Sequence, residues 1–410
     1  MAEITSDQMR VPDFALREHR SLWVDAWRRL ISNRTAQLGM VIVLVMVLST
    51  TLAHFFWEYD PKTDLDYTLK LKPPNLVATE EIPSVHIMGT DKLGRDIFRR
   101  VVHGGWNSIR VGFVSVGISL IVGGILGLLA GFFESVPISP PERYLLKGGV
   151  GLLVGLLPAW IANQVLLMAV LFTGLGLFSA FADVRWEDQS WRAGLIILLG
   201  AGIGLAPALL VSPYTALMTG FLGLLIGVLL SRKLGGKLFS DVTMRSMDII
   251  LAFPSYLLAI AIVAFLGPGL EKGMIAIGIV GIPVFARVVR SAVISVVQKE
   301  YILAANAVGE GHGRIVFRHI LPNILSPIIV QSTMALAGAI LSAAALGFLG
   351  LGAIPPEPEW GAMLGDSYRF LTSGAWWAVI FPGVAIMLIV LGFNLLGDGL
   401  RDALDPKLKI

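Results

Sequence analysis

Few side chains in this 410-residue chain have the type and spacing to do chemistry. There is no cysteine, which removes disulfides and thiolate metal sites together. The six histidines are scattered, with no i, i+4 pair, so a protein metal site has no basis. Gly235-Gly236-Lys237 is followed by Leu238, not by the Ser or Thr that would hold magnesium, so the chain itself hydrolyses no ATP. No nucleophile–base pair stands out, and the chain reads as a non-enzyme. Two features remain. Asp248, Arg287 and Arg290 sit near the ends of apolar runs, where they read as interface anchors or gate pairs rather than a substrate site. The other is the polar segment 300–322, EYILAANAVGEGHGRIVFRHILP. It is too charged for hydrocarbon and too patterned for a slack loop. Glu300, Tyr301, Ala304 and Ala305 fall on two to three turns of helix, and the two alanines let a partner's groove come close. Gly309 stops that helix, Gly311 and Gly313 punctuate the residues after it, and Pro322, lacking an N–H, suits the first turn of the next helix. The chemistry this predicts is docking.

The elements that must position this segment are membrane helices. The chain is 55% hydrophobic and 15% charged, with a mean hydropathy of +0.76, so it is an all-α polytopic membrane protein. Its net charge of +3, without a basic tract carrying interleaved aromatics, excludes a nucleic-acid partner and leaves membrane lipid. Residues 1–35 are polar, hold six arginines and are no cleavable signal peptide. They read as a cytosolic N-terminal segment, with Trp23 and Trp27 at the membrane surface. Spans are predicted at 36–57 and 109–133, joined by an outside loop at 58–106. That loop ends in GTDKLGRDIFRRVVHGG, with Asp91 as an expected N-cap and Phe98, Val101 and Val102 on a short interfacial helix.

The hydrophobic block 134–240 reads as about four spans in two hairpins, a turn falling near Pro158 and Asn163 and a polar connection at 183–192, with two spans and re-entrant pieces as the alternative. No buried charge is expected in it, which favours a lipid-facing scaffold over a docking platform for an accessory subunit or a regulatory module. Residues 241–410 give further spans at 247–267, 273–296, 323–349 and 377–397, with 300–322 and the C-terminus cytosolic and 350–376 outside.

These stretches, taken together, resemble the binding-protein-dependent ABC importer permeases, and more narrowly the C-type inner-membrane subunit of the dipeptide/oligopeptide/nickel family. The resemblance rests on Gly89-Thr90-Asp91 with Gly94-Arg95-Asp96, and on MDIILAFPSYLLAIAIVAFLGPGL at 247–270. It continues through ARVVRSAVISV (286–296), the segment 300–322, FRHILPNILSPIIVQ (317–331), LGFLGLG followed by PPEPEWGAML with Trp360 and Gly361 (346–364), and FNLLGDGLRDALDP (393–406). It covers roughly 30–133 and 240–410. Leu303 stands where that family carries an acidic residue before the Ala-Ala pair, and the usual six-span subunit lacks the block 134–240.

The resemblance implies a six-span permease core in a prokaryotic inner membrane, here with about four inserted spans. It implies as partners a second homologous permease, two ABC ATPases holding ATP and Mg2+, and an extracytoplasmic substrate-binding protein. The segment 300–322 becomes the ATPase-coupling loop, and the chain binds no cofactor of its own. The competing reading is a stand-alone secondary transporter or channel. It would need intramembrane ionisable residues or an inverted repeat, and the sequence shows neither clearly. Substrate-binding residues and the substrate itself are not legible.

Overall fold

A computed structural model describes residues 22–78, 84–136, 144, 147–149, 151–152, 165–185, 191–208, 223 and 236–404. Among the described residues the structure is helical, with two isolated bridges and no strand. The helices are α1 (Leu22–Ser32), α2 (Arg34–Phe56), α3 (Ile97–Ser135), α4 (Val165–Arg185), α5 (Trp191–Ala208) and α6 (Gly236–Ala252). They continue with α7 (Ser255–Leu266), α8 (Leu270–Val297), α9 (Glu300–Ala307), α10 (His312–Phe348), α11 (Trp360–Ser367) and α12 (Trp377–Leu404). Five of the described helices are long and apolar enough to cross a membrane, or six if the bent pair α6–α7 makes one span. The chain divides into two compact units, one of Met1–Gly127, Met247–Ala292 and Ala304–Ile410, the other of Leu128–Ser246 and Val293–Leu303.

In the first unit α2 begins at Asn33, whose side-chain oxygen accepts the N–H groups of Thr35 and Ala36. Leu38, Val41, Leu44, Val45, Leu48 and Leu52 of α2 are exposed, as lipid-facing residues of a spanning helix are. The buried side of α2 runs antiparallel along α12, with Ala36 against Gly399 and Gly39 against the backbone of Gly392 and Leu396.

Helices α3 and α8 lie closer still. The Ser115 hydroxyl donates to the Met274 carbonyl (3.0 Å) and the Ser119 hydroxyl to the Gly278 carbonyl (2.7 Å), both across a sequence offset of 159. At the same offset, a Cβ on Gly123 would strike the Ile282 carbonyl and one on Gly127 the Ala286 carbonyl. Four contacts at one constant offset mean that the two helices run parallel and in register, one turn at a time.

Several sequence expectations are corrected. No short interfacial helix precedes the second span: α3 is one 39-residue helix from Ile97. It is capped by Asp96, whose Oδ1 accepts the Arg99 N–H (2.9 Å), and not by Asp91. The expected span 247–267 is two helices bent by 88° around Phe253-Pro254, because Pro254 has no N–H to continue the ladder. The helix expected to open at Pro322 opens at His312 and passes through a π-helical stretch, Ile315–Ile320. There the Leu321 N–H reaches the Val316 carbonyl, five residues back, immediately before the proline that can donate nothing.

In the second unit, the expectation of no buried charge in 134–240 is overturned. Lys147 Nζ lies 2.5 Å from Asp183 Oδ2 and donates to Ser179 Oγ at 2.8 Å, and Arg192 pairs with the other Asp183 oxygen. Asp183 belongs to the last turns of α4 and Arg192 to the first turn of α5, so the polar stretch read as a connection is partly helix. The turn expected near Pro158 and Asn163, and most of the second hairpin (209–222 and 224–235), fall outside the described residues.

The α3–α8 ladder predicts that Gly127→Leu forces the helices apart and costs about 1–3 kcal/mol. The purified subunit should melt several degrees lower. Gly338→Leu, at a position where a Cβ meets nothing within 4 Å, should leave the melting temperature unchanged. Equal melting temperatures for the two variants would remove the ladder from the account.

Candidate functional site

The predicted site residues fall in two places, the loop and helix end around Gly89–Asp96 and the turn after α9. At the first, Thr90 is fully buried: its hydroxyl donates to the Leu69 carbonyl (2.5 Å) and accepts the Lys72 N–H (2.8 Å). The Trp377 indole N–H donates to the Thr90 carbonyl (3.1 Å), and the missing side chain of Gly89 (φ 72°) makes room for that indole. Gly94 (φ 79°) takes a left-handed turn, and any Cβ there would strike the Asp66 carbonyl.

Asp91, only 2% exposed, is the hub of this loop. One of its oxygens accepts the N–H groups of Leu93 (2.8 Å) and Arg95 (3.0 Å), and the other faces the guanidiniums of Arg95 (2.7 Å) and Arg100. Burial alone would raise its pKa. Arg100, Arg95 and the two N–H groups outweigh burial and hold the carboxyl below its ordinary value. Asp96 pairs with His86 (2.6 Å), while Lys92 reaches Asp366 on α11 (2.8 Å).

The second motif group closes on the same end of α3. Trp360 is fully buried, its indole N–H donating to the Val101 carbonyl (2.8 Å) and its backbone N–H to Ser108 Oγ (3.1 Å). The Asn107 amide donates to the Pro358 carbonyl (2.9 Å). Gly361 lies where any side chain would strike the Ala344 carbonyl of α10. Glu359 caps α11 by accepting the N–H groups of Gly361 (2.9 Å) and Ala362 (2.8 Å), and it also accepts the Ser108 hydroxyl (3.0 Å). No cation lies within ion-pair distance of it among the described residues. Burial therefore raises its pKa, against those three hydrogen bonds.

Arg100, Glu359, His86 and Trp377 were absent from the sequence-based site. A signal existed for Glu359 alone, an acid directly before an apolar helix start.

At the second place, α9 carries Glu300 in its first turn and ends at Ala307. Ala304 accepts the Val308 N–H, Asn306 the Gly309 N–H and Ala305 the Glu310 N–H, at 3.0–3.1 Å, around a left-handed Gly309 (φ 79°). Ile302 is buried, while Tyr301, Leu303, Ala304 and Val308 are exposed, Leu303 at 58% and Val308 at 83%. Glu310 then binds Arg314 (2.8 Å) and His319 (3.0 Å), clamping the turn to the start of α10. Gly311 precedes α10, Gly313 lies in its first turn, and Pro322 lies inside it. Arg287 and Asp248 form an exposed pair at 2.8 Å. Arg290 is not part of that pair.

Two outcomes are expected at the loop. Asp91→Asn leaves Arg95 and Arg100 buried without their anion, a loss of about 3–5 kcal/mol readable as a large fall in melting temperature. Glu359 gives a pH dependence. A carboxyl with a raised pKa in the folded state contributes stability that is fully present below the ordinary glutamate value and is lost as pH rises through the raised one. The protein should therefore gain stability on mild acidification, and Glu359→Gln should flatten that slope. Asp91 acts in the opposite sense, its contribution being lost only as pH falls through its depressed pKa, below the usual carboxylate range. A slope unchanged in Glu359→Gln would show that another group carries it.

Known proteins match both site regions. The family described as binding-protein-dependent transport system inner membrane component matches residues 221–410. The N-terminal TM domain of oligopeptide transport permease C matches residues 21–74. The chain is 39% identical over 390 residues to the dipeptide transport system permease protein DppC of Alkalihalophilus pseudofirmus, covering 95% of this chain and 91% of the relative. It is 36% identical over 383 residues to the di/tripeptide transport system permease protein DppC of Pseudomonas aeruginosa, covering 93% and 91%. It is 52% identical over 168 residues to the dipeptide transport system permease protein DppC of Escherichia coli. That stretch is 41% of this chain and 56% of the relative, so this chain is the longer of the two. These relatives are transport subunits, and this chain is likewise a multi-pass inner-membrane transport subunit and not an enzyme. It belongs to the binding-protein-dependent transport permeases, in their C-type dipeptide/oligopeptide branch.

Proposed function

We propose that this chain is the C-type permease of an ABC importer for di- or oligopeptides, and that it forms the translocation pathway with a second homologous permease. The observation that carries the substrate class is the 39% identity to a dipeptide permease over 95% of the chain. Two ATPases supply ATP and Mg2+ chemistry, and one of them docks on the segment 300–322. A substrate-binding protein docks outside, on the loops around Asp91 and Trp360. The N- and C-termini are cytosolic.

The architecture in this reading is a six-span core with about four inserted spans. Parallel α3 and α8 support it. Two spans that run the same way need an odd number of crossings between them. The bent pair α6–α7 supplies one, which leaves an even number to the inserted block.

Docking in this reading is by shape and apolar contact. Leu303 stands where the family has an acid, and the exposed Tyr301, Leu303 and Val308 offer apolar bulk beside the small Ala304. The left-handed Gly309 and the Glu310 clamp fix the exit angle of the turn, so that ATPase closure moves α10 instead of bending the loop. Ala304→Trp and Gly309→Val should insert normally into the membrane yet uncouple transport. In proteoliposomes, stimulation of ATPase activity by liganded binding protein should fall at least about tenfold. Wild-type stimulation in both variants would sink the docking role. Failure of the native chain to co-purify with any ATPase would remove the importer reading itself.

A further inference from the structure

At the end of α3 that carries the Asp91 loop, the first unit holds an open cavity of about 930 Å³. One part of its wall is aromatic: the Tyr59 ring stacks on His103 (centroids 4.7 Å apart) and the His54 ring on Trp106 (4.5 Å). The rim carries charges of both signs. Arg110 faces Glu271 at 3.9 Å, both side chains substantially exposed, and Lys272 lies beside them.

We propose that this cavity is a transit site for a short peptide with free termini. The inference rests on the peptide-importer reading above and adds a place to it. The cationic pair Arg110 and Lys272 takes the peptide's carboxylate, and Glu271 takes its ammonium. The Tyr59–His103 and His54–Trp106 plates accept the peptide's side chains with little discrimination. The volume suits a ligand of dipeptide size with water to spare. Asp60, Lys62 and Glu357 line the cavity as well, which makes three cations and three anions in all, and that balance of charge favours a zwitterion. The Arg110–Glu271 pair is long and exposed, so opening it to admit the ligand costs little.

The test is photolabelling of the complete transporter in nanodiscs with p-benzoylphenylalanyl-alanine. Adducts should map to 54–62, 103–110, 268–272 or 354–358. Excess dialanine should suppress them about fivefold more effectively than N-acetyl-dialanine amide, and Arg110→Gln combined with Glu271→Gln should lower labelling by about the same factor. Both substitutions are at exposed side chains, so folding is preserved. Adducts confined to other segments, or equal competition by the blocked peptide, overturn the proposal. Protection by ligand-free binding protein but not by dialanine also overturns it and assigns the cavity to docking. Dialanine uptake by proteoliposomes is measured in parallel. Intact uptake without cavity adducts overturns the transit site alone, whereas absent uptake by the native transporter overturns the peptide reading and this inference with it.

Discussion

Helices in hydrocarbon gain little from hiding apolar surface from one another, because lipid tails are as apolar as leucine. Their association has to come from close backbone approach and from the few hydrogen bonds that approach allows. In this chain the α3–α8 contact meets that constraint most directly. Ser115 and Ser119 bond to carbonyls one turn apart on α8, and Gly123 and Gly127 then let the backbones touch for two further turns. The same residues fix direction as well as distance. Because the offset never changes, α3 and α8 run parallel, and that in turn limits how often the chain between them crosses the membrane.

With α3 held there, its polar first third becomes intelligible. Arg99, Arg100, His103, Asn107 and Ser108 would be out of place in a span facing lipid. Here Arg100 closes on Asp91, Asn107 on Pro358 and Ser108 on Glu359, each partner lying in a loop. The helix thus carries two loops on its first turns. Asp91 and Glu359 do this by opposite means. Asp91 is an anion stabilised by two guanidiniums, and Glu359 is a carboxyl held by neutral donors alone with its charge disfavoured by burial.

The sequence was legible where apolar runs were long and their ends carried ordinary signals. The predicted spans 273–296 and 377–397 match α8 and α12 closely in position, and Asn33 and Arg34 mark the start of α2. It misled wherever polar residues were satisfied at a distance. The stretch GRDIFRRVVHGGWNS looked like a break before a span because the partners of its arginines lie up to 41 residues back in the chain. The stretch GHGRIVFRHI looked like a loop because Arg314 and His319 had no visible reason to be helical, and Glu310 supplies it. The ion cluster of the inserted block was missed for the same reason, with Lys147 lying 32 residues before its Ser179 partner. The bend at Pro254 is a different failure. The proline was in plain view, but the unbroken apolarity around it hid a turn of 88°.

The length of α10 bears on how the proposed importer would move. From His312 to Phe348 it is a continuous helix of 37 residues, a rod of about 55 Å. One end is clamped to the turn after α9 through Glu310. The other lies against α11, where Gly347 meets Glu359 and Ala344 meets Gly361. In the proposed importer a displacement imposed at the turn would arrive at the Trp360 anchor without passing through a loop, so the turn after α9 and the loop motifs would be two ends of one mechanical element. The π-helical stretch Ile315–Ile320, just before Pro322, lies within the part of α10 that Glu310 ties to the turn through His319. Because that stretch is held to the turn at both Arg314 and His319, the longer α-helical portion beyond it would follow the turn in the proposed importer as one rigid piece.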